Sequence, residues 1–176
     1  HHHPMPTIIE TARPGVAPAA PAGGSACDAV LVQALQAHCL QQGLALGVKS
    51  ADDGRYLLAN PAMGVLLGVD AGALIGRSDA DMLDAATASL LRAADHTALA
   101  QGNTLTSDHR LELRGERREL RVLRVVAQQG EQRLLCCLWQ DLAPQRQKDA
   151  QLRIALDQIE QQQKANDALR RELSDQ

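Results

Sequence analysis

Apolar and polar positions alternate through Leu105, Ser107, His109, Leu111 and Leu113, the two-residue period of a strand with one face on a core. Residues 120–127 are rich in Val and Leu, and residues 133–141 carry the densest apolar run of the chain. Gly115 and Gly130 fall between these runs and predict the two turns of an antiparallel meander. Upstream, the apolar runs 44–49 and 56–59 flank Asp52-Asp53-Gly54, a hairpin turn in which glycine accepts a positive φ. Asn60-Pro61 predicts a helix start, with Asn as N-cap and Pro at the first helical position, running to about Leu67. Gly68, Gly72 and Gly76 punctuate short helical pieces. Leu90, Leu91, Ala94, Ala98 and Leu99 then recur at helical spacing over residues 85–101, and Gly102 is the stop. Two strands, short helices, one long helix and three strands describe an α+β domain with a five-stranded antiparallel sheet.

The last strand is apolar on both faces. Leu135, Cys137 and Trp139 point one way, and Leu134, Cys136 and Leu138 the other. A sheet with one wet face alternates instead, so the outer face calls for a cover. Residues 26–42 read as an amphipathic helix, with Ser25 as N-cap and Leu31, Ala34, Leu35 and His38 at helical spacing. That helix, a second protomer, or both would supply the cover. Before it, His1 to His3 read as the remains of a purification tag, and the Pro/Ala-rich stretch to residue 24 has the composition of a tether.

After Pro144 the sequence has no further Gly or Pro. Leu152, Ile159, Asn166 and Leu173 occupy one seam position of a heptad, and Ala155, Gln162 and Leu169 the other. A narrow stripe of this kind is hard to bury on a lone helix, so a parallel two-stranded coiled coil is expected, with Asn166 selecting register. The chain divides into 1–24 (tag remnant and tether), 25–43 (N-terminal helix), 44–143 (folded domain) and 144–176 (coil).

Composition narrows the function. The net charge is -3, and Trp139 and Tyr56 are the only aromatic residues, without one Phe. Nucleic-acid sites need a basic field and aromatic platforms, so none is expected. No window reaches the roughly 18 apolar residues of a membrane span, and no signal peptide opens the chain, which predicts a cytoplasmic protein. Cys27, Cys39, Cys136 and Cys137 lack metal-ligand spacing and read as structural thiols, so no metal is expected. No nucleophile motif, phosphate-binding Gly loop or supported carboxylate pair marks a catalytic centre.

The ordered set Gly54-Arg55-Tyr56-Leu57-Leu58-Ala59-Asn60-Pro61-Ala62, Leu67-Gly68, Leu74-Ile75-Gly76-Arg77-Ser78-Asp79, Asp95, Gly102 and Trp139-Gln140-Asp141-Leu142-Ala143 resembles a PAS domain over residues 44–143. The resemblance implies the PAS fold and a sensor or dimerisation module that controls an attached effector through a helix. It implies a junction at Asp141, whose partner in the following helix would be Arg146; an ordinary surface ion pair is the alternative. Ala143 departs from the family pattern, which has Thr there. Light-sensing flavin relatives carry an Asn-Cys-Arg-Phe-Leu motif that this sequence lacks. Haem-binding relatives place a His just before the long-helix Asp, where this chain has Ala94, with His96 one residue too late. Haem and flavin are therefore not expected, and the cofactor stays open.

His109, Arg121, Arg124 and Trp139 are the candidate ligand-binding residues. His109 shares the face of Leu111 and Leu113, where it binds a ligand or satisfies a backbone carbonyl. Arg118, Arg121 and Arg124 share a strand, and one that points inward would pair with a carboxylate in bidentate fashion; outward arginines instead keep a sheet soluble. Asp141, Arg146, Leu152, Ile159, Asn166 and Leu173 are the candidates for signal transmission. The Leu-Arg-Arg-Glu-Leu helix at residues 169–173 is similar to linkers that feed diguanylate cyclase (GGDEF) domains, makers of cyclic di-GMP. The sequence ends within its helical pattern, as a piece of a longer protein does. A homodimeric sensor of a small molecule, driving such a cyclase, is the leading reading; a histidine-kinase input domain or a ligand-free dimerisation scaffold are the alternatives.

Overall fold

The computed structural model describes residues 8–9 and 24–176, with side chains from Cys27 onward. The tag remnant and nearly all of the tether lie outside these residues. The described residues fall into two compact units, one ending at Asp141 and the other spanning Leu142–Gln176.

In the first unit, β1 (Ile8–Ile9) and α1 (Gly24–Gln42) precede the hairpin β2 (Ala45–Ser50) and β3 (Tyr56–Ala59). Four helices follow: α2 (Pro61–Leu67), α3 (Ala71–Leu74), α4 (Asp79–Met82) and α5 (Ala85–Gln101). The meander β4 (Thr104–Leu113), β5 (Glu116–Gln129) and β6 (Gln132–Asp141) closes the unit. The sheet order is β1-β4-β5-β6-β2-β3, antiparallel throughout. The five expected strands are present, and β1 adds two residues at the β4 edge, with Ile8 opposite Leu105.

Local chemistry sets these boundaries. Asn60 Oδ1 accepts from the Met63 amide at 3.0 Å, so Asn60 caps α2 and Pro61 opens it. Gly68 ends α2 in the left-handed region at φ 78. Asp84 caps α5 through the Thr87 amide at 2.9 Å, and Gly102 ends that helix. The core lies between the inner sheet face and α2–α5, around Tyr56, Met63, Leu74, Leu91, Val122 and Leu135.

The outer face is less covered. Leu134, Cys136 and Leu138 of β6 and Leu123 and Val125 of β5 are half-buried. α1 begins at Gly24, so Ser25 stands inside the helix rather than capping it. Among its side chains from Cys27 onward, Cys39 alone is buried, while the expected stripe Leu31, Ala34, Leu35 and His38 is exposed, as are Val30, Val32 and Leu40. Val30, Leu31 and Val32 are consecutive, and steps of about 100° spread them over more than one face. The apolar surface of α1 is therefore wider than a single stripe.

The second unit is α6 (Ala143–Ser174), one unbroken helix with Pro144 in its first turn. Every residue of α6 is exposed, including Leu152, Ile159, Leu169 and Leu173.

Candidate functional site

Strand parity sends Ala45, Gly47 and Lys49 of β2 inward, opposite Trp139, Cys137 and Leu135 of β6. Lys49 is 2% exposed. Its Nζ donates to Asp79 Oδ2 at 2.6 Å and to Asp95 Oδ2 at 2.8 Å. Asp79 stands in the first turn of α4, and Asp95 on the buried side of α5. Tyr56 Oη donates to Asp79 Oδ1 at 2.6 Å. The Tyr56 ring occupies space that Gly47 leaves open: a Cβ there would meet Tyr56 Cε1 at 2.8 Å. From β5, Arg124 donates through Nε to Asp95 Oδ1 at 2.7 Å and through Nη1 to Ser107 Oγ at 2.8 Å. Ser107 Oγ lies 2.8 Å from His109 Nε2. Two cations, two carboxylates, a phenol, a hydroxyl and an imidazole thus form one network across β2, β3, β4, β5, α4 and α5.

The network balances its own charge. Burial works against the Lys49 ammonium, yet its pKa stands well above the ordinary lysine value because Tyr56, Cys137, Asp79 and Asp95 surround it. Burial also raises the Tyr56 phenol, and it pushes the Cys137 thiol up to about 12, so both keep their protons at neutral pH. The field that holds Lys49 charged at that pH comes from the two carboxylates. Charge-assisted bonds of this kind contribute about 1.5–3 kcal/mol each, so a ligand that entered here would have to replace them.

His109 is pushed down to about 4, first by burial and then by the Arg124 guanidinium; Asp108 and Asp95 oppose the shift more weakly. Arg124 donates to Ser107 Oγ, which leaves the Ser107 hydroxyl hydrogen available to His109 Nε2, an arrangement that suits a neutral ring. The folded state therefore binds fewer protons than the unfolded one between the ordinary histidine value of 6.5 and about 4, and stability falls as pH falls through that window. The shift corresponds to about 3 kcal/mol at ~1.4 kcal/mol per pH unit, reduced to about 2 kcal/mol by the ring's partial exposure. Chemical denaturation at pH 7 and pH 4.5 should show this loss in the parent and not in His109→Gln. An equal loss in both would place the pH dependence elsewhere.

The candidate ligand residues separate. His109 and Arg124 come together on the inner face, with Arg124 Nη1 3.5 Å from His109 Nε2. Arg121 is on the outer face, where it holds Asp108 through two bonds of 2.8 and 3.1 Å. Trp139 is inward and buried, but four residues along β6 from Leu135, the neighbour of Lys49. Asp141 takes a bond from Arg118 Nη2 at 2.6 Å. Arg118 is one of the three β5 arginines considered for a carboxylate, whereas Lys49, Tyr56, Asp79 and Ser107 have no site role in the sequence reading. For Lys49 the signal was strand parity, since it continues the inward phase of Ala45 and Gly47.

Two openings adjoin these groups. A cleft of about 250 Å³ runs between the 50–54 turn and α5, with Lys49, Asp79 and Asp95 at its base and Arg92 and His96 on its wall. His96 is exposed, about 100° around α5 from the buried Asp95. A second opening, of about 240 Å³, lies between α2 and the sheet and is lined by Ala45, Ala62, Leu66, Arg118, Trp139 and Asp141. Trp139 Nε1 is buried and has no hydrogen-bond partner among the described residues. A buried donor left unpaired costs about 1–3 kcal/mol. Among the described residues, no group of three or more His, Cys, Asp or Glu side chains could hold a metal ion.

Comparison with known proteins places this geometry. A family model described as the PAS fold matches residues 41–147, more than half of the chain. No curated protein matches the sequence significantly. Among solved structures, the PAS domain of BvgS from Bordetella pertussis aligns with TM-score 0.54 and 20% identity, covering 73% of this chain and 98% of its own. A sensory box histidine kinase/response regulator from Burkholderia thailandensis aligns with TM-score 0.50 and 14% identity, covering 72% and 98%. A domain of an HTR-like protein from Haloarcula marismortui gives TM-score 0.50 and 19% identity, covering 57% and 99%. At these identities the likeness is one of fold.

Proposed function

Since the chain belongs to the PAS fold family, we propose that it is a signal-input domain that pairs with a second copy and passes its state through α6 to an effector, a diguanylate cyclase. The observation that carries this reading is the uncovered seam of α6. Leu152, Ile159, Leu169 and Leu173 recur at heptad spacing on a 32-residue helix, and all are exposed in the single chain. Such a stripe is stabilised when a second helix covers it. The exposed apolar residues of α1 and the half-buried outer face of the sheet favour the same association. The module itself is sensory rather than catalytic. No described helix is long and apolar enough to cross a membrane, and a cytoplasmic setting suits the reading.

Coupling runs through two arrangements of the paired helices, which a signal biases by its differential affinity for them. Asp141 and Arg146, at the start of the output segment, and Asn166 in the seam are where these arrangements differ. Replacing Asn166 by Leu removes the polar seam residue, strengthens the coil and favours one arrangement. In the full-length protein, Asn166→Leu should change basal cyclic di-GMP synthesis by about fivefold or more, the lower end of a 1–3 kcal/mol coupling. It should also blunt the response to the activating condition. Unchanged output and response would reduce α6 to a tether. Histidine phosphorylation in place of cyclic di-GMP synthesis would replace the effector and leave the coil mechanism standing.

A further inference from the structure

The cleft between the 50–54 turn and α5 has walls of opposite charge that do not meet. On α5, Ala88, Arg92, His96 and Leu99 line it, at the three- and four-residue steps that share one side of a helix. Asp52 and Asp53 line the wall on the turn. Arg92, His96 and Asp52 are exposed. Asp53 accepts from the Arg55 amide at 3.0 Å and lies 3.7 Å from the Arg55 guanidinium. The side chains of Arg92 and Asp52 take no hydrogen bond or ion pair among the described residues, although they carry opposite charges and border one cleft of about 250 Å³.

Charge, donor geometry and size specify the occupant. The network at the base is balanced, with Lys49 and Arg124 matched by Asp79 and Asp95. A lone anion in the cleft gains from Arg92 and is repelled by Asp52 and Asp53, and a lone cation meets the reverse. A molecule with both charges close together satisfies both walls. The Arg92 guanidinium can hold a carboxylate in bidentate fashion, and the His96 ring offers an N–H in either tautomer. At about 30 Å³ per water, the space equals about eight waters, enough for a small amino acid with its side chain against Ala88 and Leu99. The acidic wall is preformed: the Gly54 amide donates to Ser50 O at 2.9 Å, which closes the turn.

We propose that this cleft binds a small zwitterionic amino acid, with its carboxylate on Arg92 and His96 and its ammonium on Asp52. This rests on the reading of the domain as a sensor. Arg133 ties both walls to the sheet: its carbonyl accepts from the Ala51 amide at 3.0 Å, and its Nη2 donates to Leu99 O of α5 at 2.6 Å. Arg133 is the second residue of β6. A ligand that draws the turn and α5 together therefore acts on the strand that leads into α6.

Three probes with one carbon skeleton test the charge requirement on the ¹⁵N-labelled intact chain at pH 7: L-valine, isovalerate, which lacks the ammonium, and isobutylamine, which lacks the carboxylate. L-valine should move the amide signals of Gly54 and His96 in a saturable way. Each single-charge probe should bind at least about tenfold more weakly, a difference of about 1.4 kcal/mol. Arg92→Gln and Asp52→Asn each remove one charge at an exposed position, so the spectrum should stay dispersed while L-valine binding weakens at least about tenfold. The comparison of probes needs no variant and decides the proposal even where a substitution unfolds the chain. No saturable shift with L-valine, equal binding of the three probes, or unchanged affinity in either folded variant overturns the proposal. Binding is read on this chain without an effector, so such a failure leaves the sensor reading intact.

Discussion

Replacing Asp95 by alanine should destabilise the folded domain by about 3–5 kcal/mol, the cost of breaking a buried ion pair from one side. Asp95 accepts from Lys49 Nζ through Oδ2 and from Arg124 Nε through Oδ1, and both cations are nearly inaccessible to solvent. Without Asp95, Asp79 is the one carboxylate facing two buried positive charges in the network. Single domains are stable by about 5–15 kcal/mol, so the variant approaches the limit of folding. At about 4–8 °C per kcal/mol, the thermal midpoint should fall by about 12–40 °C. The companion variant Asp95→Leu with Arg124→Met removes both partners and should recover at least half of the loss, since an apolar pair of similar volume avoids the uncompensated charge. A cost for Asp95→Ala below about 1 kcal/mol, that of a surface pair, would contradict the network's role.

Much of the fold follows from local chemistry that a sequence displays. The Asn60-Pro61 start, the Gly102 stop and the alternation of β4 each rest on neighbours within a few residues, and the elements stand where those signals put them. The network does not have that character. Its ion pairs join residues 30, 46 and 29 positions apart, so no local pattern announces them. Parity offered a partial signal on β5. Arg121 and Arg124 differ by three positions and must lie on opposite faces, but Val122, Leu123, Val125 and Val126 put apolar residues on both, which hid the inward one. Leu120 and Val122, both buried, show that Arg124 is in the inward phase. On α1, helical spacing was legible, whereas the exposure of its apolar residues depends on what the rest of the fold leaves uncovered.

Removing residues 145–176 should weaken self-association by about 100-fold or more, or about 2.7 kcal/mol at 1.4 kcal/mol per tenfold. Each fully buried Leu or Ile side chain contributes about 1.5–3 kcal/mol, and four such residues per helix lie at seam positions, so the gross gain is large before association entropy offsets part of it. The core should remain folded without α6, because its residues come from β2 to β6 and the helices between them, with none from α6. The thermal midpoint of the shortened chain, measured at a concentration where it is monomeric, should lie within a few degrees of the parent midpoint extrapolated to the same state. A shortened chain that dimerises as tightly as the parent would move the interface to α1 and the outer sheet face.

Light scattering coupled to size exclusion, on the intact chain and the chain ending at Pro144 at the same micromolar concentration, tests the paired-helix account most directly. The account predicts twice the 18.9 kDa chain mass for the intact protein and a shift toward the monomer mass for the shortened one. A monomer mass for the intact chain would contradict it.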